Sequence, residues 1–362
     1  MIRKGALSDT DAIDKIARKY KSELAFVRRT LIERAITNKM CHVVELDGAV
    51  IGFVLFNTRR DKTTTIYDIA IDPSHTGHGY GRNLLYSVPA PMQLKCKADN
   101  QTAIQFYRNA GMTQEDAGKN LVKFTMQRLV IFCAGNNKRH PQIARAAGMA
   151  YGSGQYDKPQ DYPFMLDVDW KAKAWRDYLG KVYKYRPVMA IVTDYEHPSQ
   201  RRELYKQIKD LKRAGVLRIV VVPKFKGAIK HIPLFCIIGL SIPTKSEKYA
   251  GWLPDWQDMS HITNRRVHLL GGTPSAQSAE VDRVALYGGT VISVDGNGFQ
   301  KAATRGNIWT HKWQATENFD YYKTLEQSAI NVQRYINNPS AWLDYDITIN
   351  ARRYKMRQLK LF

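Results

Sequence analysis

Apolar positions along this chain follow two different rhythms. After about residue 128, short apolar runs alternate with segments whose apolar residues recur at helical spacing. The runs Leu129–Ala134, Phe164–Leu166, Val188–Val192, Arg218–Val222, Phe235–Gly239, Val267–Leu270 and Thr290–Val294 predict buried strands. Helices are predicted between them at Gln142–Ala147, Lys171–Tyr183, Ser199–Ala214 and Ala276–Leu286. The helix from Ser199 is the clearest, with Leu204, Ile208 and Leu211 on one face and Gly215 as its stop. Strands alternating with amphipathic helices predict a parallel sheet covered on both sides. Seven such units favour a closed TIM-like (β/α) barrel over an open doubly wound sheet.

The first stretch reads differently. Ser8-Asp9 precedes a helix with Ile13, Ile16 and Ala17 on one face, and a second helix is predicted over Leu24–Thr37. Strands follow at Cys41–Glu45 and Val50–Phe56, joined by the turn Asp47-Gly48, and then at Thr64–Ile71. Asp99–Met112 reads as a capped helix closed by Gly111. Two domains follow from the change of rhythm: a mixed α/β sheet domain over 1–127 and a (β/α) barrel with a basic, aromatic tail over 128–362.

Charge narrows the partners. The 362 residues carry a formal charge of +22, which favours a polyanion and first of all nucleic acid. A hydrophobic fraction of 44% supports real cores. Cys41, Cys96, Cys133 and Cys236 are scattered and form no CxxC, so neither a disulfide framework nor a metal site is expected, and a cytoplasmic location fits (the host cytoplasm if the source is viral). No apolar run approaches the ~18 residues of a membrane helix. The pattern leaves the oligomeric state open.

Candidate chemistry in the first domain lies in Thr76-Gly77-His78-Gly79-Tyr80-Gly81-Arg82, where alternating glycines lead straight into a helix. Glycines allow close backbone approach, and free N–H groups at a helix start bind phosphate oxygens. With the Asp99–Met112 helix, this order and spacing resembles the GNAT acetyltransferase family. The resemblance implies a loop of Thr76 to Gly81 with Arg82 over the pyrophosphate of acetyl-CoA, with Thr76 standing where the family has Arg or Gln. It also implies Tyr107 as the acid that protonates the departing thiolate, although a helix-face aromatic packed on the sheet explains Tyr107 equally. Asn100 either contacts the cofactor or caps its helix. Asp68 is a candidate general base.

In the second domain, acids stand at strand ends: Asp167 and Asp169 after Met165-Leu166, Asp194 after Ile191-Val192, and Asp295 after Ser293-Val294. Each alone is readily a cap, but barrel chemistry gathers at carboxyl ends of strands. Leu269-Leu-Gly-Gly-Thr-Pro274 with Ile292-Ser-Val-Asp-Gly296 resembles the tRNA-guanine transglycosylase superfamily, and more closely its branch that inserts 7-deazaguanine into DNA in bacteria and phages. The zinc cysteines of the tRNA enzymes are absent from the pattern, which favours DNA over tRNA and a metal-free relative. The resemblance implies Asp295 as nucleophile on the anomeric carbon and Asp167, or Asp169, as proton shuttle. It implies Asp194 as reader of the purine edge, and Gly239, Ser241, Gly271 and Gly272 at the base. Tyr195 or Trp170 would sandwich a flipped base. Hydrolysis, a tRNA substrate, and a barrel that only binds nucleic acid are the alternatives. The tail offers Trp313, Phe319, Tyr321, Tyr322, Tyr335, Trp342 and Tyr354 with a basic end at Arg352, Arg353, Lys355, Arg357 and Lys360, suited to nucleic acid or to a last barrel helix and a solvated run.

Overall fold

The computed structural model describes residues 1–24, 27–133, 135–159, 161–169, 174–242, 256–310, 313–316 and 319–337, the side chains of 256 and 257 excepted. Trp170, Trp342, Tyr354 and the basic end therefore lie outside the described residues.

The first unit is a seven-stranded sheet. Its strands are β1 (Ile2–Lys4), β2 (Cys41–Leu46), β3 (Ala49–Thr58), β4 (Thr64–Ile71), β5 (Met92–Lys97), β6 (Thr113–Asp116) and β7 (Leu121–Met126), in the order β1-β2-β3-β4-β5-β7-β6. Alternation along β2 and β3 sorts side chains to two faces. Val43, Phe53 and Leu55 pack with Ile13, Ile16, Ile32 and Ile36 of α1 (Thr10–Arg18) and α2 (Arg29–Thr37). Val44 and Val54 belong to the core formed with α3 (Tyr80–Ser87) and α4 (Gln101–Asn109). β4 and β5 are parallel and pair only at Thr64↔Met92 and Thr65↔Gln93. Beyond that point β4 runs on without β5, which opens the sheet at its centre.

The second unit is a closed barrel of eight parallel strands, in the order β10-β11-β12-β13-β14-β15-β8-β9. These are β8 (Leu129–Cys133), β9 (Ala150–Gly154), β10 (Met165–Asp167), β11 (Met189–Ile191), β12 (Arg218–Val221), β13 (Ile237–Ser241), β14 (Arg266–Leu270) and β15 (Thr290–Gly296). The sequence pattern predicts seven of them. The eighth, β9, reads Ala-Tyr-Gly-Ser-Gly, a composition depleted in strands. It is nevertheless a strand, paired in parallel with β8 and β10, and a Cβ on Gly152 would meet Cys133 Sγ at 2.7 Å, which accounts for glycine there. Helices α5 (His140–Ala146), α6 (Trp175–Tyr185), α7 (Arg201–Arg213), α8 (Trp256–Met259), α9 (Pro274–Leu286), α10 (Gly298–Ala303) and α11 (Tyr321–Asn337) surround it, with a hairpin of β16 (Asn307–Trp309) and β17 (Trp313–Ala315). Tyr335 is core in α11, and Trp309 is held by Ser328 and Asn331 of that helix. This part of the aromatic tail therefore builds the barrel wall, whereas Trp313 and Phe319 remain exposed.

The barrel stands on the first unit by the amino ends of its strands. Arg218, first in β12, donates to the Ser87 carbonyl at 2.9 Å. Tyr86 donates to the carbonyl of Gly148, just before β9, at 2.9 Å. Gln333 near the end of α11 donates to the Gly111 carbonyl at 3.1 Å. The carboxyl ends of the strands consequently face away from the sheet domain. Gly148 has φ +69°, and a Cβ there would lie 2.6 Å from the Gly111 backbone. Gly148→Ala is expected to cost roughly 3 kcal/mol and to split thermal unfolding of the two units, as calorimetry would show.

Candidate active sites

The glycine loop leads directly into α3. Gly77 and Gly79 have φ of +83° and +81°, with open space where a Cβ would stand. Gly79 precedes α3, so the amides of Tyr80, Gly81 and Arg82 are the helix's free first-turn donors. Thr76 turns its hydroxyl onto the Pro73 carbonyl at 3.1 Å, and His78 stacks on Tyr80 with ring centroids 5.9 Å apart.

Two polar side chains of this unit have partners within the protein. The Arg82 guanidinium donates to the Arg145 carbonyl of α5 at 2.7 Å, at the junction with the barrel, so what Arg82 offers the loop is its backbone amide. Asn100 accepts from Ala103 N–H at 2.9 Å, the capping alternative.

Deeper in the opened sheet lie Asp68 on β4 and Tyr107 on α4. Asp68 is buried, one carboxyl oxygen has no hydrogen-bond partner, and burial pushes its pKa up to about 6. Tyr107 is buried between Phe106 and Phe124, with both ring centroids 5.1 Å away. Burial first, then Cys96 and Asp68, raises its phenol, which stays protonated. A carboxyl that ionises near neutrality can serve as a base, and a phenol that stays protonated can serve as an acid.

At the barrel mouth a cavity of about 450 Å³ is lined by Cys133, Gly135, Gly154, Asp157, Asp167, Asn297, Gln300, Lys301 and Thr304. Its roof is α10, which the pattern missed because Gly296-Asn-Gly298 reads as an open turn. Asp167, not Asp169, lines the cavity. Burial, then the charges of Asp295, Asp194 and Asp169, raises the Asp167 carboxyl well above the usual carboxylate range. Asp295 sits behind Cys133 and is 6% exposed. Its Oδ1 accepts from Gly271 N–H at 2.8 Å, and its Oδ2 lies 3.5 Å from the Cys133 thiol and 3.7 Å from His268 Nε2. The thiol is raised well above its ordinary value by burial and by Asp295 and Asp167, so it is the donor.

Gly271 and Gly272, with φ of +66° and +78°, make the turn that aims this amide. Gln277 of α9 fastens the turn, donating to the carbonyls of Gly271 and Asp295 at 2.8 and 2.5 Å.

The base-reading expectations fare less well. Asp194 lies 3.3 Å from Lys224 Nζ, which also donates to Ser241 at 2.8 Å. Burial raises the Asp194 carboxyl although Lys224 lowers it. Asp194 and Ser241 are thus joined through Lys224 at the strand ends. Gly239 makes room for Val220, Val222 and Leu270, each within 3 Å of where its Cβ would stand, which is a packing role. Tyr195 is 1% exposed against Phe225 and has no free face for a base.

Cys133, Asp157, His268, Ser293 and Lys301 were missed as site residues. The one available signal was His268 inside an otherwise apolar run.

Residues 146–337, a little over half the chain, match the model of a family described as "Family of unknown function (DUF6610)". The chain belongs to that family. Residues 10–112 match the acetyltransferase (GNAT) family, so the first unit is a GNAT acetyltransferase domain. Solved structures similar to it include a GNAT-family acetyltransferase from Bacillus cereus, 21% identical over 36% of this chain and 97% of its own, with a TM-score of 0.32. Ard1 from Thermoplasma volcanium is 20% identical over 34% of this chain and 93% of its own, with a TM-score of 0.31. N-acetylglutamate synthase from Neisseria gonorrhoeae, solved with coenzyme A and N-acetyl-glutamate, is 18% identical over 35% of each chain, with a TM-score of 0.30. No curated protein matches significantly. Among the described residues no His, Cys, Asp and Glu group could hold a metal ion, and no helix is long and apolar enough to cross a membrane.

Proposed function

We propose that the protein carries two chemistries: acetyl transfer to an amine in the first unit and guanine exchange in nucleic acid, DNA before tRNA, at the barrel mouth.

For acetyl transfer the carrying observation is Asp68, a buried carboxyl on β4 with a pKa of about 6, together with the raised phenol of Tyr107 on α4. The amides from Gly77 to Gly81 would hold the pyrophosphate of acetyl-CoA, which supplies the acetyl thioester. Asp68 takes the proton of the attacking amine, and Tyr107 returns one to the departing thiolate. Calorimetry with CoA tests the first step. Binding is expected, with at least about a tenfold loss in Gly79→Val, because φ +81° excludes a branched residue. No heat with CoA would remove the reading.

For base exchange the carrying observation is two carboxyls at one mouth: Asp167, raised well above the usual carboxylate range by burial and its acidic neighbours, and Asp295, whose Oδ1 accepts an amide N–H. Asp167 protonates the leaving guanine while Asp295 Oδ2, released from the weak thiol bond, attacks the anomeric carbon. The sugar–guanine bond breaks and a sugar–carboxylate bond forms. Asp167 then takes the proton of an incoming 7-deazaguanine, whose nitrogen displaces Asp295. Two inversions retain configuration. The charge of +22 supports a nucleic-acid partner.

A further inference from the structure

Beneath the cavity floor lie two polar side chains to which the chemistry above assigns no part. His268 on β14 and Ser293 on β15 are register partners, both wholly buried. Elsewhere the barrel interior is filled by side chains such as Ile131 and Met165. Buried polar groups belong in a core when their hydrogen bonds are used. Ser293 Oγ is 2.9 Å from His268 Nδ1. The other ring nitrogen, Nε2, has no hydrogen-bond partner and faces Asp295 Oδ2 at 3.7 Å.

A hydroxyl can donate or accept, so a ring carrying one N–H has two arrangements here. If Nδ1 carried the proton, the lone pair of Nε2 would confront the carboxylate oxygen. If Ser293 donates to Nδ1, the proton sits on Nε2 and its N–H points at Oδ2. Only the second makes every facing pair complementary. The titratable groups facing Asp295 are Cys133 from β8, Asp167 from β10 and His268 from β14. Of these, His268 alone can offer a strong N–H.

We propose that His268, its tautomer fixed by Ser293, is a positioning residue that orients Asp295 and supports its anion when the Cys133 thiol lets go of Oδ2. The effect on rate rests on the base-exchange reading; the tautomer does not.

Long-range ¹⁵N–¹H NMR of the full chain labelled at its nine histidines tests the tautomer, with His268 assigned by its loss in His268→Gln. The expected result is a proton on Nε2, and loss of that single form in Ser293→Ala. A proton on Nδ1 would overturn the proposal. The rate arm uses DNA carrying tritiated guanine, with 7-deazaguanine as the incoming base. His268→Phe is expected to lower kcat roughly 100-fold while KM for the base stays within about twofold. His268→Gln, which keeps an N–H at the same place, recovers most of the rate. Equal rates for Phe and Gln would sink the idea. Should His268→Phe not fold, Ser293→Ala carries both arms. Exchange that survives Asp295→Asn removes the base-exchange reading and leaves the tautomer result standing.

Discussion

Asp68→Asn is expected to lower acetyl transfer by about 10²–10⁴-fold, with little change in CoA affinity. The carboxyl is buried in the opened centre of the sheet, and the amides proposed to hold the phosphates are on the loop before α3, so the proposal gives binding and proton transfer to different parts. In the unsubstituted protein the rate should climb as pH passes through about 6, where Asp68 ionises. Stability should move the other way. Burial lets the folded state hold this proton more tightly than the unfolded chain does. The stabilisation is therefore complete below pH ~4 and is lost as pH rises through about 6. Asparagine removes that loss, so Asp68→Asn should be more stable at pH 8, by on the order of 2–3 kcal/mol, while nearly inactive. A variant both weaker and inactive would point to a packing role.

Asp295→Asn is expected to abolish guanine release from DNA, a loss of roughly 10⁴-fold or more, because the proposed mechanism gives Asp295 the covalent bond to the sugar. Acetyl transfer should be unchanged. The reason lies in the assembly: Arg218, Gly148 and Gln333 fasten the amino end of the barrel to the first unit, so the mouth with Asp295 points away from Asp68 and Tyr107. If acetyl transfer fell with Asp295→Asn, the two sites would be coupled in a way this geometry does not account for.

Much of this was legible in the sequence, and for identifiable reasons. Apolar runs such as Val188–Val192 and Thr290–Val294 are buried on both sides, so their strands show without ambiguity. Asp167 and Asp295 follow such runs directly, and strand ends of a barrel converge at its mouth. β9 was invisible because glycine and serine fit the crowded interior yet carry no strand signal. The link from Lys224 to both Asp194 and Ser241 was not legible, because no spacing reveals such a pairing. The partner of the Arg82 guanidinium was equally hidden, because it is a carbonyl of the other unit, 63 residues away.

Mass spectrometry of nucleosides from double-stranded DNA incubated with the protein and 7-deazaguanine addresses the barrel chemistry most directly. The account predicts a 7-deazaguanine deoxynucleoside with the protein and none with Asp295→Asn. Unmodified DNA in both samples, or modification that persists in Asp295→Asn, would contradict it.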